Sequence, residues 1–118
     1  AEVSATMPIT NEVMANYPFL AGMYEDDYYP KDLVDEGKAI LVRLCEEIEA
    51  KQPSSLEELY ALTHAATEEF NNLSEDFYDQ DSEIETGARD IIGEDFDAIA
   101  EAYGFEADIE ELIAPRDW

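Results

Sequence analysis

Apolar residues recur every three or four positions through most of this chain, and nowhere do they alternate with the two-residue period of a strand for long enough to count. Leu33, Val34, Gly37, Ile40, Leu41, Leu44, Cys45 and Ile48 fall on one stripe at about 100° per residue, which predicts a helix over 30–52. Pro30 suits its first helical position, where a missing N–H goes unnoticed. Gly37 lies near the centre of the stripe without a propensity reason, so another helix is expected to approach closely there. Ser55 followed three residues later by Glu58 has capping-box spacing and opens a second helix over 55–77, with Leu56, Leu59, Leu62, Thr63, Ala66, Phe70, Leu73 and Phe77 expected to face inward. Ser82 and Glu85 repeat that spacing ahead of a third helix, whose stripe runs from Ile84 to Tyr103 and whose left-handed stop is Gly104. Asp108 then caps a short helix over Ile109 to Ile113, halted by Pro115. Upstream, Asn11 to Tyr24 holds a helix interrupted near Pro18.

These elements predict an all-α fold, a compact bundle of about four antiparallel helices plus a short C-terminal one, because connections of a few residues favour antiparallel neighbours. Residues 1–10 are set apart as a disordered tail or an expression remnant, and 11–118 are expected to form a single helical domain. With 118 residues, 46% of them hydrophobic, the chain can build one core without a disulfide or a metal. Cys45 is the only cysteine, so no intrachain disulfide and no Cys/His zinc pattern can form, and a cytoplasmic setting is expected. No run approaches the roughly 18 apolar residues of a membrane span, and no signal-peptide pattern opens the sequence.

Charge changes the picture of partners more than the picture of chemistry. The chain carries 31 Asp and Glu against 6 Lys and Arg, a formal net charge of −25. A surface this negative repels nucleic-acid phosphate and anionic lipid and attracts basic proteins, through a field reaching about 8 Å at physiological salt. Residues 53–81 contain 8 acids and no cation, whereas four of the six cations sit in residues 30–52. Glu68, Glu75, Asp79, Asp90, Glu94, Asp97 and Glu101 project away from the apolar stripes and form the candidate interaction face. Neither nucleic acid nor membrane is expected as a partner.

Few residue sets point to catalysis. Di-iron bundles need Glu-x-x-His pairs on facing helices, and the single histidine, His64, is not in one. Asp79, Asp81, Glu83 and Glu85 alternate like calcium-loop ligands, but Ile84 stands where the turn demands glycine and Asp90 where it demands glutamate. Cys45 at the edge of an apolar stripe reads as an inert buried thiol, and His64 as a surface histidine held by a nearby carboxylate. No catalytic residue, metal site or cofactor is assigned.

Asp95 is the one acid inside an apolar stripe, one turn from Ile91 and Ile99, and it needs a partner there: Lys38, Arg43, Arg89, Arg116 or a tyrosine hydroxyl. Its readings are a buried tether that fixes packing and a general acid or base with a shifted pKa. The run from Tyr17 to Pro30 combines five aromatics with three acids, which suits either recognition of a basic protein or capping of the core by Phe19, Leu20 and Met23. Arg116 and Trp118 are expected to dock the tail onto the bundle.

The stretches Tyr17-Pro-Phe-Leu, Met23-Tyr-Glu-Asp-Asp-Tyr-Tyr-Pro-Lys31, Leu59-Tyr-Ala-Leu-Thr-His-Ala-Ala-Thr67 and Glu111-Leu-Ile-Ala-Pro-Arg-Asp-Trp118 resemble a small family of bacterial proteins known only as a domain of unknown function. The resemblance covers Tyr17 to Trp118 and implies a bacterial, cytosolic, stand-alone domain. It brings no catalytic or binding residue with it. The leading functional expectation is therefore a non-enzymatic acidic module that binds a basic protein. The alternative is a small-ligand or catalytic site around Asp95, His64 and the tyrosines, and a third reading makes the acids a solubility or salt adaptation.

Overall fold

Six helices follow one another among the residues that the computed structural model describes, 9–118: α1 (Glu12–Ala15), α2 (Ala21–Tyr24), α3 (Lys31–Lys51), α4 (Leu56–Asp79), α5 (Thr86–Ala102) and α6 (Ile109–Leu112). No strand is present among them, so the fold is all-α. Three helices are long, not four. The segment read as a fourth is two single turns, because Pro18 cannot continue a helix and Leu20 stands in the left-handed region at φ 56°.

α3 and α4 form the frame. Gly37, early in α3, meets Phe70 and Leu73 late in α4, while Leu44 and Glu47 share a groove with Leu62 and Ala66, so the two helices run antiparallel. The close approach expected at Gly37 is there: a Cβ on it would lie 2.9 Å from Leu20 Cδ1 and 3.2 Å from Phe70 Cε1. α5 packs across α1, α2 and α3 and carries α6 on its other side, closing a core in which Leu41, Phe70, Phe77, Ile92, Phe96 and Ile99 are fully buried.

Helix ends follow their local chemistry, with one correction. Ser55 caps α4 by accepting the Glu58 N–H, and Glu58 returns a bond to the backbone of Ser54 rather than Ser55. Gly104, at φ 88°, ends α5 in a Schellman motif, with Phe105 N–H on the Ala100 carbonyl and Gly104 N–H on that of Glu101. Pro30 stands at the N-cap of α3 rather than at the expected first helical position; it makes no side-chain cap, and its carbonyl accepts the Val34 N–H. Ser82, however, does not open α5. Its N–H closes a Schellman motif on the Phe77 carbonyl, with Asp81 at φ 61°, and its hydroxyl donates to the Tyr28 carbonyl. Ser82 is thus consumed in ending α4, and Glu85 caps α5 instead, accepting the N–H groups of Gly87 and Ala88.

The first and last of the described residues are tied to the helices. Ile9 packs on the core, and Thr10 donates its N–H and its hydroxyl to Glu49, so these two residues belong with the domain rather than with a tail. The rest of the expected tail lies outside the described residues. At the other end, Asn71 on α4 holds the chain after α6 with both faces of its amide, donating to the Pro115 carbonyl at 3.1 Å and accepting the Asp117 N–H at 3.0 Å. No helix among the described residues is long and apolar enough to cross a membrane.

Candidate interaction groove

The docked tail makes one wall of an open groove whose other wall is the last two turns of α4. It measures about 420 Å³ and is lined by four acidic residues, Glu75, Asp79, Glu83 and Asp117, and by Tyr78 and Trp118, with Asn71, Ser74 and Ile84 between them. Trp118 reaches it because its ring packs edge-on against Phe70, with centroids 6.1 Å apart. Tyr78 follows the core residue Phe77 and so points out of the bundle, 74% exposed. No lysine or arginine lines the groove.

The seven acids proposed as one face do not share one site. Glu75 and Asp79 enter the groove, whereas Asp90 and Glu94 lie in a second, smaller depression between α5 and α6 beside Arg89. Glu68 and Glu101 are exposed and Asp97 is partly buried. Among the described residues none of the seven is within ion-pair distance of a cation; the ion pairs join Arg43 to Glu69, Lys51 to Glu47 and Arg116 to Glu110. Two groove acids, Glu83 and Asp117, were not legible as site residues, because only the folded chain brings the α4–α5 loop and the tail beside α4. The signal that existed was Tyr78, an aromatic one position off the inward stripe.

Asp95 is 5% exposed, and among the described residues it has no cationic partner. It accepts the Tyr17 hydroxyl at 2.9 Å and the Leu20 N–H at 2.7 Å. Burial pushes its carboxyl above the ordinary range, against the pull of these two donors. The same burial, together with the Asp95 bond, raises the Tyr17 hydroxyl to about 12.

Tyrosine hydroxyls replace scarce cations elsewhere as well. Tyr24 donates to Asp35, Tyr29 to Glu85 and Tyr103 to Glu49. Burial raises the Glu49 carboxyl, but the bonds from Tyr103, Thr10 and Asn11 together outweigh it and bring the group down to about 2. The Tyr29 hydroxyl and the α5 backbone lower Glu85 in the same way. Phe19, Leu20, Met23 and Tyr29 are buried, so most of the aromatic run 17–30 caps the core, and Tyr28 is its exposed ring.

Cys45 is fully buried, and that burial pushes its thiol up to about 12. His64 stacks on Tyr60 and bonds through Nε2 to the Glu111 main-chain carbonyl at 2.7 Å, where a carboxylate partner was expected. The main chain of α6 reaches it first, because α6 lies directly against α4. Asp95 and His64 therefore serve different segments, the α1–α2 link and α6, and share no hydrogen-bond partner. Among the described residues no group of three or more His, Cys, Asp or Glu side chains is placed to hold a metal ion.

The model of a family of unknown function (DUF5713) matches residues 13–118. The chain belongs to that family. No curated protein and no solved structure matches it. All residues of the groove, of the Asp95 tether and of the tail lie inside the span that defines DUF5713.

Proposed function

We propose that this member of DUF5713 is a cytoplasmic, non-enzymatic interaction module of bacteria, which binds a basic protein in the manner of an inhibitor, an immunity protein or a nucleic-acid mimic. The observation that carries the reading is the groove, where four acidic and two aromatic residues line one concavity with no lysine or arginine among them. Aromatic rings supply buried contact area, and surrounding acids steer and orient a cationic partner. A net charge of −25 adds long-range attraction to that local design. Among the described residues, tyrosine hydroxyls and a backbone N–H are spent on Asp95, Glu49 and Glu85, which hold the fold, and no ion pair engages the groove acids.

The test is affinity capture from bacterial lysate with two baits, the wild-type chain and a variant carrying Glu75→Lys, Asp79→Lys, Glu83→Lys and Asp117→Lys. The expected result is one basic protein retained in stoichiometric yield by the wild type, released by salt, and missing from the variant. Equal retention by both baits, or no basic protein on either, overturns the reading.

A further inference from the structure

We infer that the groove beside Trp118 takes an arginine side chain on the basic partner, with the guanidinium lying on the Tyr78 ring and paired to the surrounding carboxylates. This rests on the interaction reading above and names the group that is recognised. The carboxylates alone would suit any cation, so the discriminating feature is the combination of flat rings with acids in one concavity. A guanidinium is planar, weakly hydrated and able to stack on an aromatic face while donating two parallel hydrogen bonds to a carboxylate. A lysine ammonium is a compact and strongly hydrated point charge that gains less from a ring. Tyr78 is free to stack because it is 74% exposed.

Trp118 is the only tryptophan in the chain, so its emission reports on the groove itself. The experiment titrates the full chain with tetra-arginine amide and with tetra-lysine amide at equal, moderate ionic strength. Tetra-arginine is expected to change Trp118 emission saturably and to bind about fivefold tighter than tetra-lysine, the scale of one exposed cation–π contact. Tyr78→Ala, a change at an exposed position, is expected to abolish that preference while the lysine peptide binds as before. Reversing Glu12, Glu57 and Glu106 to lysine alters net charge equally to reversing Glu75, Asp79 and Glu83, but should leave the preference intact. Equal affinity for the two peptides, or a preference that survives Tyr78→Ala, overturns the inference. If a basic protein is captured and no arginine preference exists, this inference falls alone. If no basic protein is captured, the reading beneath it falls.

Discussion

Asp95 holds Leu20 by its backbone: the carboxylate accepts the Leu20 N–H at 2.7 Å while Leu20 stands at φ 56°. A branched residue in the left-handed region costs on the order of 1–2 kcal/mol, so the conformation persists only because its surroundings hold it. Those surroundings are Asp95 on α5 and the bare face of Gly37 on α3, against which the Leu20 side chain is fully buried. One strained residue thus joins the α1–α2 link to two long helices.

Removing the acceptor should therefore cost more than removing one donor. Asp95→Ala leaves a buried N–H and a tyrosine hydroxyl unpaired and is expected to lower unfolding free energy by about 2–3 kcal/mol, against about 1 kcal/mol for Tyr17→Phe. Urea denaturation of the two variants measures both. Equal losses would mean that the Leu20 bond contributes nothing.

The pH dependence has opposing parts. Glu49 sits at about 2 in the folded chain against 4.5 ordinarily, so its contribution is complete above pH 4.5 and is lost as pH falls toward 2. Glu85 acts in the same direction. Asp95 is raised, so its contribution is present below the ordinary carboxylate range and is lost as pH rises through its folded value. Glu49→Gln should flatten the acid limb of the stability curve between about pH 4.5 and 2, as read by thermal melts across that range.

Salt should stabilise the fold at neutral pH. With a net charge of −25 the compact state repels itself, and screening relieves that more than it weakens the three exposed or half-exposed ion pairs among the described residues. The melting temperature is expected to rise from low to moderate sodium chloride. A flat or falling profile would contradict this.

The tail should behave as part of the domain. Asn71→Ala removes both hydrogen bonds to it and is expected to cost about 1–2 kcal/mol, with a red shift of Trp118 emission as the ring leaves Phe70. Deleting residues 115–118 should lower the melting temperature further. An unchanged melt in the deletion would show that the tail contributes nothing to the core.

Local chemistry read well wherever the deciding partners were neighbours in sequence. The stripe from Leu33 to Ile48, the Ser55 cap and the Gly104 stop each follow from residues within one or two turns, and each is found where periodicity placed it. Ser82 misled because its spacing to Glu85 fits a cap as well as it fits any start. Its N–H was already committed to Phe77 and its hydroxyl to Tyr28, the second of these 54 positions away. His64 misled for a similar reason, since a carboxylate is the common partner of an exposed histidine and the Glu111 main chain lies 47 positions along the chain.

By itself the sequence determined that this protein is helical, acidic and built on one stripe per long helix, because periodicity and capping are properties of contiguous residues. It also determined that Asp95 needs a buried partner, because a lone carboxylate in an apolar stripe is costly. Only the tertiary structure decided that the partners are Tyr17 and the Leu20 backbone, and that Glu83, Asp117, Tyr78 and Trp118 converge on one groove. Contacts of that kind depend on how helices dock and where a tail lies down, and those choices are made by packing across distant segments that no local pattern records.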